Sequence, residues 1–589
     1  MTHSRICRST SNHGTISVQP AEVATVSGAP PESGLTAKHR ETPFCCRPLS
    51  LVPLVALLLI AGGACAQDFL DAGREIVVAT SYGPVAGIQH ERVQVFRAIP
   101  YAAAPTGRLR FKPAMQPQSW LKVRSARVRG AACPQILDVD DPAEDGDGVM
   151  SEDCLTLNIW TPRADSRPRP VMVFIHGGAF EVGSAADSWY DGEALAERGD
   201  VIVVTIQYRL GAFGFLELDE LGVKGFEDSG NLGLLDQVAA LNWVRRNIAH
   251  FGGDPHNVTL FGESAGGASI HGLLSMRSAR DLFHKAIIES GDPGQFVTKA
   301  RAKEIARDFM SLAHVTSAAA VQSLSMEEIL RAQQALLDKG YGLATFSMVA
   351  DGRTFERTPI ESISADPSLS KPLLIGTNSD EIRYWIVLDA LPLDRQPDSV
   401  LTDRLVRVFG PAAADVLEVY ARESPSHEEA LRNVISDVVF RMPAVRLAEI
   451  NGVRQPTYMY LFTYRSLTRG PTGLEYGAMH ELELPFVFHL NTSQGYSFVG
   501  PKGSWSHLSD QMVEAWTRFA RAGDPNNPLL PHWPRYDTER RATMELGQRC
   551  VVMLDPYGAE RRAWDGVPSA RFDDGEAVRL ADPPAETTP

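Results

Sequence analysis

The sequence predicts an α/β protein with a large, mostly parallel central sheet flanked by helices. Three observations carry that expectation. Apolar, β-branched runs recur along the chain, and segments with helical spacing separate them. The runs are apolar at nearly every position rather than every second one, as in strands buried on both faces.

Taken in order, residues 1–66 read as an N-terminal extension and signal peptide. An apolar run from Leu49 to Ile60 follows Lys38, Arg40 and Arg47 and ends in Ala64-Cys65-Ala66, a small-residue cleavage pattern. The run is short for a membrane span, so cleavage after Ala66 and a secreted or periplasmic product are expected, without stable membrane insertion. A buried or anchoring helix, or lipid attachment at Cys65, is the alternative. Residues 67–589 read as one domain. Its strands are expected at 170–175, 201–210, 257–261, 285–290, 371–376 and 457–464. Leu234, Leu235, Val238, Leu241 and Val244 mark an amphipathic helix that a glycine pair ends. Residues around 300–345 and 390–450 look helical and interrupt the alternation, as insertions that shape a substrate gorge.

The chain has 589 residues, 44% of them hydrophobic and 22% charged, with a net charge of −15. That balance excludes a nucleic-acid partner, which needs a basic face. No P-loop, G-x-G-x-x-G or metal-spaced Cys/His cluster occurs, so neither cofactor nor metal is expected. Export would leave Cys133, Cys154 and Cys550. One disulfide, with Cys133–Cys154 the near pair, and one spare thiol is the natural count; three separate thiols is the alternative.

The chemistry gathers at "NVTLFGESAGGASIHG" (257–272). A strand ending at Phe261, the turn Gly262-Glu263-Ser264-Ala265-Gly266 and a following helix have the form of a nucleophile elbow. Such a turn strains the serine and presents its hydroxyl at the end of the sheet, and the Ala265 N–H is placed to donate to an oxyanion. A second segment, "VFIHGGAF", puts Gly177 and Gly178 after a strand, as in the oxyanion-hole loops of esterases and lipases. Either motif alone occurs by chance; together they point to acyl transfer.

At these residues the sequence resembles the type-B carboxylesterases, which include cholinesterases and bacterial para-nitrobenzyl esterases on the α/β-hydrolase fold. "SEDCLTLNIWTP", "GNLGLLDQVAALNWVRRNIAHFGGDPHNVTLFGESAGG" and "AWTRFARAGDPNNPLLPHWPRY" carry the likeness, which spans nearly the whole chain after residue 66. The resemblance implies a triad acid at Glu381, in "GTNSDEIRYW", where Ile382 stands in place of the usual glycine. It implies the triad histidine at His480, in "GAMHELELPFVF"; the residues alone do not choose among fifteen histidines. It also implies a Cys133–Cys154 disulfide loop, internal ion pairs Arg110–Glu152 and Arg209–Asp236, and Ser290 and Glu263 as residues supporting the triad.

The expected function is therefore serine ester hydrolysis through an acyl-enzyme, with a small-molecule ester and water as the reactants. His480 would be the base, Glu381 its orienting acid, and Gly177, Gly178 and Ala265 the oxyanion donors. The loop between Cys133 and Cys154 holds no aromatic residue, so cation–π recognition of choline is not expected. Arg383 and Tyr384 could meet a polar substrate or face away from the gorge. A lipase-type acylglycerol hydrolase is the nearest alternative, and a non-catalytic interaction protein the alternative from another class. The sequence is silent on oligomeric state.

Overall fold

A computed structural model describes residues 73–568, apart from 137–148, 163–164, 166, 220–223, 343–344, 389–397, 491–498, 501–502 and 504. The expectations for residues 1–66, and most of the acidic loop between the paired cysteines, lie outside the described residues.

The central feature is a 13-stranded sheet. Its middle runs Ile202–Ile206, Arg169–Ile175, Gly253–Glu263, Lys285–Glu289, Leu373–Asn378, Thr457–Phe462 and Ala542–Leu546, every neighbouring pair parallel. All six strands expected from the sequence are present. The one expected at 201–210 stops at Ile206, and a short helix, Gly211–Phe215, follows. Antiparallel strands extend the sheet on both sides. Arg74–Ala79, Pro84–His90, Val93–Pro100 and Thr156–Pro162 lie on one side, and Val551–Leu554 pairs at the other edge.

Side-chain alternation shows why the middle strands are apolar throughout. Val171, Val173, Ile175, Val204 and Ile206 enter one hydrophobic core, while Met172, Phe174 and Val203 enter another. Successive residues point to opposite faces, and a core covers each face. The helix Leu232–Asn247 buries Leu234, Leu241 and Val244, then tightens into a turn ended by Gly252 in the left-handed region.

Both insertions are helical. Lys299–Leu312, Ala318–Ser323 and Met326–Asp338 form the first. Asp398–Phe409, Ala412–Glu423, His427–Ser436 and Met442–Gly452 form the second, with a π-helical turn at Asp437–Arg441. The second has its own core, built on Leu405, Phe409, Val416, Tyr420, Val434 and Trp564. Among the described residues no helix is long and apolar enough to cross a membrane.

Candidate active site

Ser264 stands between the strand Gly253–Glu263 and the helix Ala265–Ser275, with φ 54° and ψ −122°. Such a conformation costs a non-glycine residue about 1–3 kcal/mol. Two hydrogen bonds hold it: the Ser264 N–H donates to Glu289 O (3.0 Å), and its carbonyl accepts from the Ala268 N–H (2.8 Å). Gly266 explains the second glycine of the motif. A Cβ there would lie 1.9 Å from Ile175 O, so only glycine lets the helix dock against the neighbouring strand end.

The loop after Ile175 passes beside this turn. A Cβ on Gly177 would come within 3.1 Å of Ser264 Cβ, and Gly178 takes φ +94°. The Glu181 and Val182 N–H groups both donate to Gly178 O at 2.9 Å, which pins the loop. The N–H groups of Gly177, Gly178 and Ala265 donate to no group among the described residues. His176 stacks on Tyr208 at 4.5 Å, and the Tyr208 hydroxyl donates to His176 O (2.9 Å). Burial pulls His176 down to about 4, so the loop carries no cation at neutral pH and offers only amide dipoles.

Glu381 and His480 come together across 99 residues of chain. His480 Nδ1 lies 2.7 Å from Glu381 Oε2. The other oxygen, Oε1, accepts from the Ser290 hydroxyl (2.6 Å) and the Asn378 N–H (2.7 Å). Ser290 is fully buried and sits at φ 47°. The carboxylate is thus held on both oxygens. Ile382, where the family pattern has glycine, sits in an ordinary right-handed conformation (φ −63°). It needs no glycine, and its side chain enters the core of the second insertion.

The imidazole–hydroxyl arm is open. His480 Nε2 has no hydrogen-bond partner among the described residues, and it lies 3.1 Å from Glu263 Oε1. Catalytic hydrogen bonds are often long before substrate binds. The expectation that Glu263 supports the site thus takes a specific form: its carboxylate faces the imidazole directly. Burial, then the nearby Glu481, Glu483 and Glu381, push the Glu263 carboxyl well up; burial raises Glu289 to about 7.

The motifs missed two aromatic neighbours. Trp385 and Phe440 lie 5.1 and 4.7 Å from the imidazole, with their own rings within 14° of parallel. Phe440 comes from the π-helical turn, and no sequence signal marks it. Trp385 lies four residues after the acid, one place beyond Tyr384, whose ring is 6.5 Å from the imidazole. Arg383 Nε donates to Glu475 O in a two-stranded hairpin.

Cys133 and Cys154 form a disulfide with Cα atoms 5.1 Å apart. Cys550 is free, and burial raises its thiol to about 11, which keeps it unreactive at neutral pH. Arg110 meets Glu152 through two nitrogens. Arg209 meets Asp236 through Nε (2.7 Å) and Nη2 (2.6 Å), with both side chains shut from solvent.

Comparison with known proteins gives one consistent result. The model of the carboxylesterase family matches residues 74–564. A para-nitrobenzyl esterase of Bacillus subtilis is 37% identical over 494 residues, which cover 82% of this chain and 98% of that one. A phenmedipham hydrolase of Pseudarthrobacter oxydans is 34% identical over 487 residues, 80% and 95% of the two chains. A crystal structure of a Geobacillus stearothermophilus carboxylesterase superposes with a TM-score of 0.76 at 39% identity, covering 83% of this chain and all of that one.

Proposed function

The chain belongs to the carboxylesterase family and is a serine carboxylic-ester hydrolase, and on that premise we propose that Ser264, His480 and Glu381 carry the reaction. The observation that supports this most is the closed carboxylate–imidazole pair beside a strained serine and three unclaimed amides. The remaining arm, from His480 Nε2 to the Ser264 hydroxyl, closes when substrate binds. His480 Nε2 then takes the hydroxyl proton as Oγ attacks the ester carbonyl. Glu381 keeps the proton on Nδ1 and stabilises the imidazolium. The amides of Gly177, Gly178 and Ala265 receive the oxyanion, and each such donor typically contributes about 3 kcal/mol. The imidazolium protonates the leaving alcohol, and His480 next activates water against the acyl-enzyme.

The substrate in this reading is a small to bulky organic ester. Relatives named for para-nitrobenzyl esters and for phenmedipham support that range. The same reading makes residues 67–589 one catalytic domain, exported by the segment ending at Ala66; the Cys133–Cys154 disulfide supports an oxidising destination.

Diethyl para-nitrophenyl phosphate tests the assignment. Expected is one para-nitrophenol released per chain, with the phosphoryl group on the Ser264 peptide by mass spectrometry. Labelling of any other residue, with activity lost in step, would remove Ser264 from the mechanism. Ser290→Ala tests the support of the acid. Loss of a hydrogen bond to a charged group should lower kcat about ten-fold, with KM unchanged. An unchanged kcat would leave Ser290 as packing only.

A further inference from the structure

Two side chains adjacent in sequence to the relay create a second set of donors around the same imidazole. Glu263 precedes Ser264, and Glu481 follows His480. One donor atom from each of Glu263, His480 and Glu481 lies within 4.8 Å of the others. Glu263 Oε1 lies 3.1 Å from His480 Nε2. Both Glu263 oxygens and His480 Nε2 are sealed from solvent and make no hydrogen bond among the described residues. Glu263 is 0% exposed and His480 2%.

The chemistry of that gap is specific. Glu381 takes the hydrogen on Nδ1, and this leaves the imidazole lone pair on Nε2. Nε2 then faces a Glu263 carboxyl oxygen across 3.1 Å. Glu481, Glu483, Glu381 and Glu289 lie close enough to Glu263 to interact with its charge, and all are carboxylates. We propose that Glu263, His480 and Glu481 form an inhibitory site for a divalent transition metal of the zinc class.

One imidazole and two carboxylates are a donor set that suits zinc and its neighbours, whereas magnesium and calcium prefer oxygen alone. Zinc holds such ligands at about 2.0–2.2 Å in a tetrahedron, which places donors about 3.4 Å apart. The buried pair is already near that spacing. Glu481 is half-buried, and its carboxyl oxygen lies within 4.8 Å of the other two donors. A metal seated there occupies the Nε2 lone pair that would otherwise accept the Ser264 proton. Turnover stops without any covalent change and returns when a chelator removes the ion. Binding does not depend on the reaction; only its effect on turnover rests on His480 being the base.

Calorimetric titration of zinc chloride into the full chain, and into Ser264→Ala, separates these two points. Expected is one ion per chain in both proteins, with no heat from magnesium or calcium. Affinity should fall about ten-fold or more in Glu481→Gln and in Glu263→Gln, each checked for an unchanged melting temperature. Wild-type hydrolysis should fall over the same zinc range and recover with EDTA. Absence of a one-to-one site overturns the proposal, as does zinc binding that neither glutamate variant weakens. Binding that leaves hydrolysis intact overturns its inhibitory character. Because Ser264→Ala is inactive in the proposed mechanism but retains all three donors, failure here is distinct from failure of the relay.

Discussion

Ser264→Ala is expected to lower kcat for ester hydrolysis by on the order of 10⁵- to 10⁶-fold while leaving the fold intact. The change removes one oxygen from a residue whose backbone is fixed by its neighbours, not by the hydroxyl. The Ser264 N–H bond to Glu289 and the Ala268 bond to the Ser264 carbonyl both survive it. Substrate binding should change little, because the loop amides and the aromatic rings beside the imidazole are untouched. Single-turnover kinetics with a chromogenic ester, alongside the thermal unfolding curve, would measure both halves of this expectation. Retention of more than about one part in a thousand of wild-type kcat would point to another nucleophile.

The second large effect concerns stability. Asp236→Ala is expected to destabilise the fold by about 3–5 kcal/mol, because it strands the Arg209 guanidinium in the interior. Arg209 is 2% exposed, and besides meeting Asp236 its guanidinium donates to the Lys112 carbonyl. Replacing both members together, Arg209→Met with Asp236→Leu, should cost much less, since the attraction and the desolvation penalty of a buried pair largely offset each other. Chemical denaturation of the two variants decides the matter. Equal losses would mean that Arg209 and Asp236 act through shape and not through charge.

The sheet was legible because burial on both faces writes itself as uninterrupted apolar runs. Arg169–Ile175, Lys285–Glu289 and Thr457–Phe462 are buried at every position. The flanking antiparallel strands were less legible. Arg74–Ala79 alternates between exposed and half-buried, and its polar positions hide it. At the site, Ser264, Gly177 and Gly178 were legible from local geometry: an elbow and an amide loop each need a particular short string of small residues. Glu381 and His480 were not, since a carboxylate and an imidazole that follow two different strands, 99 residues apart, have no mutual spacing; only the family resemblance singled them out. Phe440 and Trp385 escaped both routes. An aromatic ring that packs on an imidazole needs a place in space but no motif, and the π-helical turn that delivers Phe440 has no sequence signature.

Ile382 links two parts of the molecule that are usually treated separately. Its side chain belongs to the core of the second insertion, while its backbone is the next link after Glu381. Phe440, from the same insertion, rests on the imidazole at 4.7 Å. Any engineering that exchanges this helical cap to accept a different ester would therefore disturb the proton relay as well. Grafts that keep Ile382, Phe440 and the helices beneath them as one transplanted block should retain turnover, whereas cuts made at the nearest loop would separate the acid from the scaffold that aims it.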